Sequence, residues 1–151
     1  MQLTLFTDYA LRTLVYLALQ PEKQLSTITE VADRFTISRN HVVKIVHQLG
    51  MKGYIETIRG KHGGIRLARS CLEINLRDVI ADMENVTCLL DCQREGCRLA
   101  PGCRFQSIMR KAMRAFLGVL AEYTLDDLVR DKERMCGLLE LEIPVTTVSE
   151  A

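Results

Sequence analysis

No stretch of this 151-residue chain is apolar for long enough to span a bilayer. Its N-terminus, MQLTLFTDYALR, has neither a basic stretch before the apolar run nor a small-residue cleavage site. Neither export nor a membrane partner is therefore expected, and a cytoplasmic location is the default. Internal repeats, low-complexity runs and any linker long enough to separate domains are also missing, so one compact unit is expected. An enzyme lacks its parts, because there is no nucleophile–base arrangement, no phosphate-cradling loop and no CxxC redox pair. What remains is an ordinary soluble composition, 48% hydrophobic and 26% charged, sufficient for a single core.

Six cysteines in a reducing compartment read as ligands, sensors or buried hydrophobes rather than disulfides. Cys92, Cys97 and Cys103 crowd into CQREGCRLAPGC, a C-x4-C-x5-C segment whose Gly96, Pro101 and Gly102 suit a loop wrapped around an inorganic core. Core packing does not explain such crowding. An iron–sulfur cluster takes four protein ligands, and this loop offers three. Cys88 adds a nearby sulfur, and four thiolates could instead close a zinc site, although zinc sites more often use cysteines paired two to four residues apart. Cys71 and Cys136 lie outside the loop and read as small packed or incidental thiols.

A net charge of +1 conceals an asymmetry: residues 1–69 carry ten Lys or Arg against five Asp or Glu, and residues 70–151 carry ten against fourteen. Between Arg39 and Arg69 seven basic side chains face only Glu56. That bias is an electrostatic footprint for a polyanion.

The same half has the pattern of a winged helix-turn-helix, mainly α with a small β wing. Thr7 is a candidate cap for a helix beginning near Asp8, with Ala10, Leu11, Leu14, Val15 and Ala18 on one face and Pro21 as its stop. Thr27 and Glu30 form a capping-box pair before Ile28, Val31, Ala32 and Phe35. Ser38 then caps a helix ending at Gly50, placing the helix-turn-helix at about residues 28–51. Val42, Ile45, Val46 and Leu49 recur at i, i+3, i+4 and i+7, so they face inward. Ser38, Arg39, Asn40, His41, Lys44, His47 and Gln48 are left for a DNA major groove. A hairpin over about residues 54–68 follows, its glycine-rich tip carrying Arg59, Lys61 and His62 as donors to phosphates or a minor groove. These segments make up a DNA-binding domain over residues 1–83.

In the second half, LRDVIADME is read as an amphipathic turn and a half packing on the winged helix. The cluster loop occupies residues 84–103. From about Arg104 to Tyr123, Phe105, Met109, Ala112, Phe116, Val119 and Tyr123 follow heptad spacing, which points to a helix pairing two subunits. A homodimer would set two recognition helices on half-sites of a roughly palindromic operator. A short helix beginning at Thr124 completes residues 104–131, and residues 132–151 are expected to be a tail, mobile beyond Pro144.

Taken as a set, MQLTLFTDYALR, SRNHVVKIVHQL, RGKHGGIRL, the C-x4-C-x5-C loop and EYTLDDLV resemble the iron–sulfur winged-helix transcriptional regulators over nearly the whole chain. The likeness is greatest to the family's nitric-oxide-sensitive repressors of nitrosative-stress genes. It implies a [2Fe-2S] or [4Fe-4S] cluster held by Cys92, Cys97 and Cys103, with nitric oxide as the signal. Cluster-biogenesis regulators of the family place a histidine three residues after the last cysteine, where this chain has Gln106. In the nitric-oxide-sensitive branch an aspartate at the start of the partner subunit's first helix completes the site, and Asp8 matches it. Asp8 also suits a helix's first turn by charge alone, and Arg12 could orient it or simply pair with it. Cys88 is the rival fourth ligand. A sensor of iron supply or redox state is the alternative on the same scaffold. An iron–sulfur electron carrier is the alternative from another class, and it would have no use for the basic wing.

Overall fold

The computed structural model describes residues 2–84, 97–99 and 102–142. At its centre lies α1, Leu5–Leu19, which touches five other helices and one strand of the hairpin. Such a helix must be apolar on most sides, and Ala10, Leu14, Tyr16, Leu17, Ala18 and Leu19 are all buried. Each large side chain among them contributes roughly 1.5–3 kcal/mol relative to exposure. Thr4, not Thr7, caps this helix: its Oγ1 accepts the Thr7 amide hydrogen at 3.3 Å, and Thr7 is buried within the first turn. The extra turn is fixed from outside, because Glu84 Oε1 accepts from the Thr4 amide at 2.6 Å and from its hydroxyl at 3.0 Å.

Helix α2, Ile28–Phe35, starts on the Thr27–Glu30 capping box. It ends at Thr36, whose left-handed backbone (φ 54°) turns the chain so that Ile37 enters the core and its amide bonds to the Ala32 carbonyl at 2.9 Å. Ser38 caps α3, Arg39–Met51, which buries Val42, Ile45, Val46 and Leu49. Strands β1, Ile55–Ile58, and β2, Gly64–Leu67, pair antiparallel from Ile55↔Leu67 to Ile58↔Gly64. The hairpin is fastened to the body by buried Ser26, which exchanges both backbone bonds with Ile65 at 3.0 and 2.8 Å.

After a 3-10 turn at Cys71–Glu73, α4 runs over Leu76–Glu84, the LRDVIADME segment expected, which makes about two and a half turns rather than one and a half, and buries Leu76, Val79, Ile80 and Met83. Helix α5, Arg104–Leu120, packs on α4 and buries Met113. Its end is tied back where Asn75 Nδ2 donates to the Ala121 carbonyl at 2.8 Å. Helix α6, Leu125–Leu128, follows its Thr124 capping box. Residues 132–138 do not begin a tail. They form α7, Lys132–Leu138, capped by Asp131, with Cys136 fully buried and Met135 and Leu139 packed on the core. Apolar residues at 135, 136 and 139 give this segment a helical face to bury, which overrides its charged start. The polar segment beyond Pro144 lies outside the described residues. No described helix is long and apolar enough to cross a membrane.

Candidate nucleic-acid interface and metal centre

The turn at Thr36–Ser38 presents α3 so that Ser38, Arg39, Asn40, His41, Lys44 and His47 are exposed on one side, while Gln48 is half-buried. One exposed residue of this face was not singled out by the periodicity: Val43, which stands outside the buried core cluster. Apolar residues at helical spacing are read as inward-facing, and that reading hid it.

Arg59, Lys61 and His62 are exposed at the hairpin tip, and among the described residues neither Arg59 nor Lys61 is ion-paired. The tip closes at Gly60, where φ is +119°, and at Gly63, where a Cβ would lie 2.2 Å from the Ile58 carbonyl oxygen.

Not all seven basic residues of the Arg39–Arg69 stretch face outward as a footprint. Arg66 pairs with Glu56 on the hairpin itself. Lys52 Nζ meets Asp82 Oδ1 at 2.7 Å, and Arg69 lies over the Tyr54 ring at 5.1 Å while donating to the Lys52 carbonyl at 2.9 Å. Tyr54 donates its hydroxyl to Asp82 Oδ2 at 2.7 Å. Burial first, and then the hydrogen bond to Asp82 and its charge, push the Tyr54 hydroxyl well above its ordinary pKa. Three basic side chains are thus engaged by the protein itself, leaving Arg39, Lys44, Arg59 and Lys61 for a polyanion.

Asp8 sits half-exposed in the first turn of α1 and pairs with Arg12 at 2.8 Å. The Arg12 guanidinium lies 5.9 Å from the centre of the Tyr9 ring, and Tyr9 in turn faces His41 on α3, ring centres 6.2 Å apart. Two side chains, Arg12 and Tyr9, therefore separate this carboxylate from His41 of α3.

Cys97 is exposed, and Cys103 is half-buried immediately before α5, where its side chain makes no capping bond. Cys88 and Cys92 lie outside the described residues, and among those described no three Cys, His, Asp or Glu side chains converge. The donor chemistry nonetheless suits a cluster. Cys103 lines a concavity with Arg98, Leu99, Gly102 and Arg104, and two guanidinium groups beside a helix N-terminus complement the negative charge of a thiolate-ligated core. Cys71 is half-buried with its thiol pushed up by burial, and Cys136 is fully buried, so both are packed thiols.

The family model "Rrf2: Iron-dependent Transcriptional regulator" matches residues 3–131. The HTH-type transcriptional regulator NsrR of Shouchella clausii (strain KSM-K16) is 45% identical over 145 residues, covering 94% of this chain and 97% of that one. Among solved structures, T. potens IscR aligns with a TM-score of 0.68 at 20% identity over 89% of this chain and 90% of its own. The oxidized form of Staphylococcus aureus CymR aligns at 0.67 and 23% identity over 85% and 95%. These two likenesses are of fold.

Proposed function

Because the chain belongs to the Rrf2 family of transcriptional regulators, we propose that it is a DNA-binding repressor whose hold on its operator is set by an iron–sulfur cluster and released by nitric oxide. Regulation of transcription, rather than enzymatic chemistry, follows from the family. Control by the cluster is our reading, and the observation that carries it is the run of contacts Asp8–Arg12–Tyr9–His41, which joins a candidate ligand to the DNA-reading helix.

In this reading Cys92, Cys97 and Cys103 hold the cluster, Asp8 of a second copy supplies the fourth ligand, and Cys88 is the rival. The chemistry supplied by the bound group is an iron site open to nitric oxide at its oxygen-ligated corner. The rest is done by protein side chains. An Asp8 carboxylate committed to metal is a weaker partner for Arg12, and an Asp8 set free restores the pair. Arg12 and Tyr9 then change what packs against His41 in the first turn of α3. A hundredfold change in DNA affinity needs only about 2.7 kcal/mol of such coupling. Exposed Phe105, Ile108 and Val119 on α5, with Tyr123 just beyond its end, are the proposed subunit contact, which would set two recognition helices about one DNA turn, roughly 34 Å, apart.

The test is anaerobic purification with absorbance, iron and sulfide analysis, followed by nitric oxide titration and operator binding on one sample. Asp8→Ala should retain a cluster yet respond weakly; an unchanged operator affinity and nitric oxide response in this variant would sink the coupling. The description "Iron-dependent" of the matched family model favours a second reading, a sensor of iron supply. Iron chelation that releases the operator while nitric oxide does not would decide for it.

A further inference from the structure

We propose that Val43 reads the 5-methyl group of a thymine in the major groove, so that operators of this chain carry thymine at one fixed position of each half-site. The proposal rests on the DNA-binding reading above and adds a base to it. Helix α3 has four inward apolar residues, Val42, Ile45, Val46 and Leu49, all buried. Val43 is not among them. It is 44% exposed and stands outside the buried core cluster.

A single exposed valine is ordinary on a protein surface. This one is set apart by its position. Residues four apart on a helix are neighbours, so Val43 lies one turn after Arg39 and one turn before His47, with Asn40 and Lys44 together on one flank and buried Val46 on the other. It is the apolar edge of a hydrogen-bonding patch. In the major groove the base edges present donors and acceptors everywhere except at the thymine methyl, which is the one apolar group available. An isopropyl group there gains from burying that methyl. It also penalises cytosine, whose amino group would lose water without finding an acceptor. Branching at Cβ confines the side chain to one main rotamer in a helix, so little entropy is lost on contact.

The experiment uses the full chain to enrich duplexes from a library with a randomised core, then replaces each thymine of the enriched site singly by deoxyuridine, which lacks only the methyl. Wild-type affinity is expected to fall about fourfold at one thymine per half-site, the worth of one buried methyl group. Val43→Ala should melt with the wild type, bind the same duplex more weakly and be indifferent to that replacement. Uracil indifference of every thymine in the wild type, or a methyl effect that survives in Val43→Ala, overturns the role of Val43 and leaves DNA binding intact. Failure to enrich any sequence, together with no salt-dependent binding to bulk duplex, overturns the DNA-binding reading itself.

Discussion

The Tyr54 hydroxyl donates to Asp82 Oδ2 at 2.7 Å, joining the base of the wing to the last turn of α4. Lys52 takes the other carboxylate oxygen at 2.7 Å, but this ion pair is partly exposed and contributes little by itself. The half of the network beneath the Tyr54 ring matters more. Tyr54→Phe should cost about 1 kcal/mol, and Asp82→Ala about 1–3 kcal/mol because it strands a buried hydroxyl. In a double-mutant cycle read by denaturant unfolding the two should be non-additive by roughly 1 kcal/mol. Strict additivity would mean that the bond does not hold the wing.

Acid should loosen the same region. Burial alone would raise the Asp82 pKa, but hydrogen bonds from Lys52 and Tyr54 and the charges of Lys52 and Arg69 outweigh it and hold it below its ordinary 3.8. Glu84 is likewise held below 4.5: burial works against this, and hydrogen bonds donated by Thr7 and Thr4 prevail. A carboxylate depressed in the folded state stabilises above its unfolded pKa and loses that contribution as pH falls through the folded value. Stability should therefore be flat above about pH 5 and decline as pH drops below 4.5 and then 3.8. Glu84→Gln should flatten part of that decline in thermal melts taken across the range; an unaltered profile would remove Glu84 from the account.

How far the sequence foretold these contacts depended on the range of the interaction. Spacing of three and four residues was enough to place Val42, Ile45, Val46 and Leu49 inside α3, and the Thr27–Glu30 box is local. Thr4 and Thr7 were equally good caps by local rules. The choice between them is made by Glu84, eighty residues away in the chain. Counting charges likewise treated Lys52, Arg66 and Arg69 as part of a DNA footprint, when Asp82, Glu56 and Tyr54 engage them. Of the candidate cluster cysteines, Cys97 and Cys103 lie among the described residues, and Cys88 and Cys92 fall outside them.

The hairpin tip tolerates no side chain at Gly63. An added Cβ would meet the Ile58 carbonyl oxygen at 2.2 Å and backbone atoms of Arg59 and Gly60 at 3.0 Å, and backbone cannot step aside as a flexible side chain can. Gly63→Ala should cost on the order of 1–3 kcal/mol. The damage should be local, so hydrogen exchange at the Ile65 amide, bonded to Ser26 at 2.8 Å, should accelerate more than exchange in α1. Uniform acceleration across both elements would contradict a local effect.

Helix α5 leaves Phe105, Ile108 and Val119 exposed, and Tyr123 just beyond its end extends the stripe, which has no covering element among the described residues. If a second copy covers it, charges placed in the stripe should separate the subunits without unfolding either one. Phe105→Glu combined with Val119→Glu should convert a dimer to a folded monomer in sedimentation velocity, with its far-ultraviolet circular dichroism retained. A wild type that sediments as a monomer at tens of micromolar would remove the subunit contact from this helix.

If Lys61 and Arg59 at the wing act through charge and Val43 on α3 acts through shape, the two kinds of contact are separable by salt. Each phosphate neutralised by the protein steepens the fall of log affinity with log salt by roughly 0.9. Lys61→Ala should therefore weaken binding to selected and unrelated duplexes alike and make the slope shallower by roughly one. Val43→Ala should leave the slope where it was and narrow the gap between selected and unrelated duplexes, because it removes no charge. If Lys61→Ala lowers affinity only for the selected duplex, the hairpin tip reads bases instead of phosphates.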